Sequence, residues 1–137
     1  MKKLKCLYII DDDPITVFGI KKMLNATIEC ENIRTFENGK LALESIHEAQ
    51  QNGEILPEVI FLDINMPIMD GWEFLAEFLK IRFPEKVIIN VITSSIDPAD
   101  YQKWNEFRLN CYHYLNFKNK PLFKIEPTDL SRINLAS

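Results

Sequence analysis

No apolar run in this chain comes near the about 20 residues that a membrane-spanning helix needs. Runs such as Val59-Ile60-Phe61-Leu62 and Val87-Ile88-Ile89 stop after a few positions. A secretory leader is missing too. Met1-Lys2-Lys3-Leu4-Lys5 supplies a basic start, but only Cys6 to Ile10 follow before three aspartates, where a leader needs about 7–15 apolar residues. A cytoplasmic chain is expected. Cysteine is scarce: Cys6, Cys30 and Cys111 lie far apart with no Cys-x-x-Cys pair. That spacing argues against a disulfide framework or a zinc site and for reduced, structural thiols. A basic stripe is also absent. Sixteen Lys and Arg stand against 20 Asp and Glu, a net charge of −4, which speaks against nucleic acid as a partner. No Gly/Ser linker, repeat or low-complexity segment divides the chain, so residues 1–137 read as one domain with its core at about 4–133.

What is present suffices for a packed core: 47% of the residues are apolar and 26% charged. Leu7-Tyr8-Ile9-Ile10 is a short buried strand ending at Asp11-Asp12-Asp13, with Asp13 as an N-cap and Pro14 at the first position of a helix over 15–24. A weak strand follows at 33–36, then a turn at Glu37-Asn38-Gly39. Leu41, Ala42, Ser45, Ile46 and Ala49 share one face of a helix over 40–50. A strand at 59–62 ends in Asp63. Pro67 and Asp70-Gly71 mark a loop and helix start, and Phe74, Leu75, Phe78 and Leu79 recur at helical spacing until Pro84. A strand at 87–92 ends in Thr93-Ser94-Ser95. Asp97-Pro98 opens a helix bearing Tyr101, Trp104 and Phe107. A weaker strand at 114–117 leads to Lys120-Pro121, and the tail from Pro127 has room for a short helix within 127–136. This βα alternation, with nearly continuous apolar strands, predicts an α/β fold with a parallel sheet covered on both faces.

Open parallel sheets bind ligands at the carboxyl ends of their strands. Asp11, Asp12, Asp63, Thr93 and Lys120 all fall at such ends. Carboxylates gathered there repel, by ~4 kcal/mol per pair at ~4 Å and an effective dielectric near 20. Protonation or a cation must relieve this. Oxygen ligands without Cys or His favour Mg²⁺. A divalent ion, a lysine and a hydroxyl around a carboxylate are the parts that phosphoryl transfer uses.

Four segments carry a family resemblance. Tyr8-Ile9-Ile10-Asp11-Asp12-Asp13-Pro14, Val59 to Gly71, Val91-Ile92-Thr93-Ser94-Ser95 and Lys120-Pro121-Leu122 resemble, in order, the signatures of the receiver domain of two-component response regulators. The resemblance implies a flavodoxin-like sheet of five strands in the order 2-1-3-4-5. It implies that Asp63 accepts a phosphoryl group, that Asp12 binds Mg²⁺ directly and Asp11 through water, and that Asn65 lends its backbone carbonyl to the metal. Thr93 and Lys120 would contact the phosphoryl group, a cis peptide would precede Pro121, and Phe117 would be the switching aromatic. The implied partners are a sensor histidine kinase or histidine phosphotransfer protein, a separate downstream protein, and a second copy of the chain through the face of the fourth helix, fifth strand and last helix. With nothing beyond the domain, no attached output domain is expected.

Three features depart from the family pattern. Asp13 adds a third acidic residue that competes for the metal. The long, aromatic and polar stretch between Thr93 and Lys120 predicts an irregular fourth helix and fifth strand. The last helix is short. Two other readings of the residues stay open. One is a haloacid-dehalogenase-like phosphatase with Asp11 as nucleophile in an Asp11-x-Asp13 motif, which leaves Asp63 without a role. The other is a receiver-like binding module that is never phosphorylated. His47 and His113 read as solvated or packed rather than catalytic, since neither sits at a strand end with an acidic partner.

Overall fold

The computed structural model describes residues 2–122 and 124–131. Strands and helices alternate: β1 (Lys2–Ile10), α1 (Pro14–Thr27), β2 (Ile28–Phe36), α2 (Gly39–Asn52), β3 (Val59–Asp63), α3 (Gly71–Phe78), β4 (Ile88–Thr93), α4 (Pro98–Leu109) and β5 (Tyr114–Asn119), with a 3₁₀ turn at Pro127–Asp129. The strands form one parallel sheet in the order β2-β1-β3-β4-β5, the flavodoxin-like α/β arrangement expected from the sequence.

Alternation along the strands builds two cores. Tyr8, Ile10, Ile60, Leu62, Ile89, Val91 and Leu115 face α2 and α3, meeting Ala42, Ile46, Phe74, Leu75 and Phe78. Leu7, Ile9, Val59, Phe61, Ile88 and Ile92 face the other way, toward Ile20 and Leu24 of α1 and Leu130. All residues of β3 and β4 are buried, which is why these strands read as nearly continuous apolar runs. The N-terminal strands are longer than their apolar runs suggest. Lys2 to Leu4 pair with Ile28 to Cys30 of the second strand in a parallel ladder that begins before the pairing with β3 does. α1 passes into β2 without a loop, since Ile28 is already the extended residue that caps it.

The stretch predicted to be irregular is regular. Asp97 caps α4 by accepting from the Ala99 N–H, Pro98 fills the first turn, and β5 pairs with β4 over its whole length. Pro and an acidic cap specify a helix start whatever the composition that follows. What α4 lacks is a buried residue. The irregularity lies further on, where the described part of the last helix is the single 3₁₀ turn; residues 132–136 of that expectation, and the end of the core at 133, lie outside the described residues. This turn is tied to the sheet by polar contacts. Asn90, fully buried in β4, donates to the Asp129 carbonyl at 2.9 Å and accepts from Asn116 at 2.9 Å. The buried Asp129 carboxylate meets Lys118 at 2.9 Å and accepts from the Glu126 N–H at 2.7 Å.

His113 is packed, as read from the sequence. Its Nδ1 accepts from the Val87 N–H at 2.8 Å, and its ring lies against Phe78 and Phe83. Burial, then the Lys86 charge, pushes its pKa down to about 4. The unfolded chain therefore protonates near pH 6.5 and the native state only near 4. His113 stabilises the fold above pH 6.5, and that contribution falls as pH drops toward 4, by about 3 kcal/mol in all. Urea titrations at a series of pH values should show this slope in the native sequence and lose it in His113→Asn, which keeps an acceptor but cannot titrate.

Candidate functional site

The parallel sheet brings the predicted strand ends to one edge. Asp11 follows β1, Asp63 closes β3, Thr93 closes β4, and Lys120 follows β5. Asp11, Asp63 and Thr93 are buried and Asp12 is exposed. Lys120 Nζ lies 3.0 Å from Asp11 Oδ2 and 3.4 Å from Asp63 Oδ1. The Lys120 N–H donates to the Thr93 carbonyl at 2.8 Å, so the lysine is anchored at its backbone as well. Lys120–Pro121 is cis, as the resemblance implied.

Electrostatics at this edge are unbalanced. Asp63 is pushed up to about 6, first by burial and next by the Asp11 charge, against which Lys120 and the Asn65 N–H act. Lys120 is held above the ordinary lysine range: burial opposes its charge, and the Asp11 and Asp63 carboxylates outweigh that. Asp11 Oδ1 accepts from the Asp13 N–H at 2.9 Å. Asp11 Oδ2 is buried and, among the described residues, has no hydrogen-bond donor of good geometry; the Lys120 ammonium meets it as an ion pair. One oxygen each from Asp11, Asp12 and Asp63 lies within 4.8 Å of the others. Three hard oxygen donors, one of them short of a partner, and a net negative charge after Lys120 fit a divalent cation such as Mg²⁺. Asn65, exposed two residues after Asp63, is in sequence reach with its carbonyl.

Not every predicted residue acts here. Asp13 caps α1, accepting from the Ile15 N–H at 3.1 Å and the Thr16 hydroxyl at 2.8 Å. Its carboxylate is outside the three-aspartate group, and it is equally engaged against a proton-donor role in an Asp11-x-Asp13 phosphatase motif. The Thr93 hydroxyl accepts from the Ser95 N–H at 2.9 Å rather than meeting Asp63. Phe117 is half-buried, with Tyr101 and Trp104 of α4 each 5.7 Å from its ring centre. His47 is exposed.

Gly71 has a role that the sequence reading reduced to a helix start. Its N–H donates to the Ile64 carbonyl at 2.8 Å, and a Cβ there would sit 2.4 Å from the Asp63 carbonyl oxygen. The start of α3 thus presses on the peptide that carries Asp63. The loop between them closes through a γ-turn at Ile68, with φ of 70° and a Met69 N–H to Pro67 carbonyl bond of 2.7 Å, a strained conformation for a β-branched residue. The Asp-Gly pair was the visible signal; the close approach depends on tertiary structure and was not.

Known proteins resemble this chain over most of its length. A sequence model of the response regulator receiver domain matches residues 7–116. The response regulator Rcp1 of Synechocystis is 26% identical over 125 residues, covering 88% of this chain and 83% of its own length. A protein-glutamate methylesterase/protein-glutamine glutaminase of Methanococcoides burtonii is 36% identical over 72 residues, 53% of this chain but 19% of its own length. The chain likewise spans only 38% of a response regulatory protein of Vibrio cholerae. Among solved structures, a two-component response regulator from Cytophaga hutchinsonii has a TM-score of 0.76 at 28% identity, covering 99% of this chain and all of that one. The Mn²⁺-bound form of response regulator Rcp1 has a TM-score of 0.63 at 25% identity, covering 82% of this chain and 80% of its own.

The raised Asp63 carboxyl predicts a pH-dependent gain. The unfolded chain releases this proton near pH 3.8 and the native state near 6, so the native state is penalised above pH 6 and not below 3.8. Without divalent cations, Asp63→Asn should be more stable than the native sequence by about 2–3 kcal/mol at pH 7.5. The gain should shrink as pH falls from 6 and vanish near 3.8. Paired urea titrations in a chelator across pH 3.5–8 measure it.

Proposed function

The chain belongs to the response regulator receiver family, and from that premise we propose that it is a phosphoacceptor signalling domain with Asp63 as the covalent acceptor. The observation that carries the reading is the buried Asp63 carboxylate held 3.4 Å from Lys120 at the edge shared with Asp11 and Asp12. In the transfer step an Asp63 oxygen attacks the phosphorus of a phosphohistidine. The P–N bond breaks, its electron pair returns to the imidazole, and an acyl phosphate remains on Asp63. Lys120 neutralises a phosphoryl oxygen, and the Thr93 hydroxyl donates to another. Asp11, Asp12, Asp63 and the Asn65 carbonyl would hold Mg²⁺, which when bound offsets charge on the transferring group.

This reading makes the chain a signalling domain rather than an enzyme acting on a separate substrate, and one domain over 1–137. Its phosphodonor is a sensor histidine kinase or a histidine phosphotransfer protein. No helix among the described residues is long and apolar enough to cross a membrane, in keeping with a cytoplasmic site of action. Phosphorylation adds charge beside Thr93. Thr93 then moves toward it, Phe117 turns inward, and the face of α4, β5 and the C-terminal turn changes its affinity for a downstream protein or a second copy. The phosphatase reading leaves Asp63 idle, and Asp13 is spent on a helix cap.

Intact-mass measurement after exposure to acetyl phosphate and Mg²⁺ should give one phosphoryl adduct on the native chain and none on Asp63→Asn. An adduct lost from Asp11→Asn but retained on Asp63→Asn would establish the phosphatase reading instead. Asp12→Ala should weaken Mg²⁺ binding by roughly tenfold or more, since a direct ligand is lost.

A further inference from the structure

Thr93 is connected to the first turn of α4, and through it to α3, by a series of polar contacts. The Ser95 N–H donates to Thr93 Oγ1 at 2.9 Å, which leaves the threonine proton free to donate elsewhere. The Ser95 hydroxyl accepts from the Asp97 N–H at 3.1 Å, and it is the first of the groups that hold down the pKa of Asp100, in the first turn of α4. Asp100 also accepts from the indole N–H of Trp72, in α3, at 3.1 Å. Trp72 in turn stacks on Phe107, near the other end of α4, with ring centres 5.7 Å apart and planes 3° from parallel. Because α4 buries no residue, this attachment to α3 and the Trp104 bond to the Leu115 carbonyl at 3.1 Å are the polar ties that seat it among the described residues.

We propose that Ser95, Asp100 and Trp72 are positioning residues for the Thr93 hydroxyl, and that the Trp72–Asp100 bond is a latch between α3 and α4 that opens when Thr93 is drawn to a phosphoryl group. This rests on the reading of Asp63 as phosphoacceptor. The latch acts through Asp100 and Phe107, on the face of α4 next to that of Tyr101 and Trp104, which meet Phe117. Thr93 cannot move toward Asp63 and keep the Ser95 N–H in place, so Ser95 shifts, its hydroxyl leaves Asp100, and Asp100 loses one of the two partners that orient it toward Trp72. The helix is then held by stacking and by Trp104.

The chain has two tryptophans, so emission is read in a Trp104→Phe background that leaves Trp72 as the reporter, and amide exchange is read with Trp104 in place, because its bond to the Leu115 carbonyl also seats α4. Beryllofluoride with Mg²⁺ is the phosphoryl mimic, its adduct verified by fluorine NMR. Binding should shift Trp72 emission and speed amide exchange across 98–109. Trp72→Phe, which keeps the stack but loses the N–H, should show exchange in α4 roughly 3- to 10-fold faster without the mimic. Asp100→Asn, which keeps an acceptor, should remain close to the parent, and Asp100→Ala should resemble Trp72→Phe. An adduct that forms while Trp72 emission and α4 exchange stay unchanged overturns the latch and leaves the reading of Asp63 standing. Failure to form any adduct overturns that reading, and the latch with it.

Discussion

One ammonium shared by two buried carboxylates organises the functional edge. Asp11 and Asp63 end adjacent strands, but Lys120 comes from β5, which is separated from β3 by β4. The lysine must therefore cross the end of β4, and its own N–H bonds to the carbonyl of Thr93, the last residue of that strand. Four strand ends are fixed by this arrangement. Without Lys120, two carboxylates at ~4 Å would repel by about 4 kcal/mol at an effective dielectric near 20. With it, the edge keeps a residual negative charge and a raised Asp63 carboxyl, a donor set that fits a divalent cation.

Much of this was legible because the parallel fold forces it. Apolar runs ending in Asp11, Asp63, Thr93 and Lys120 give both the strands and the shared edge. What escaped depended on partners distant in sequence. The first residues of β2, from Ile28 to Asn32, are half polar and follow α1 without a glycine or proline to mark the change; they are strand because β1 pairs with them. The aromatic and polar composition of 98–119 suggested irregularity, yet Asp97 and Pro98 set a regular helix, and polar β5 residues find polar partners. Gly71 read as a turn because nothing in an Asp-Gly pair reveals that the Asp63 carbonyl lies where a side chain would stand.

Stability is unevenly distributed around the site. β3 and β4 are wholly buried and supply a rigid floor under Asp63 and Thr93, whereas α4 rests on the domain through aromatic rings and a few hydrogen bonds. Such a division suits a module whose chemistry needs fixed geometry and whose output needs a movable surface. The apolar residues of α4 follow the same contrast: Trp104 and Phe107 are half-buried against other rings and none forms a buried stripe.

The polar cluster beneath the C-terminal turn constrains how this sequence can drift. Asn90 spends its amide on Asp129 and its carbonyl oxygen on Asn116, and Asp129 also holds Lys118. Replacing any one member with an apolar residue leaves a polar group or a charge without its partner, a larger loss than the bond itself. Replacing all of them together would still take partners from two backbone groups, the Asp129 carbonyl that Asn90 meets and the Glu126 N–H that the Asp129 carboxylate accepts from. Inheritance is therefore expected to be correlated within each side-chain pair, position 90 with 116 and position 118 with 129, and few mixtures within a pair are expected.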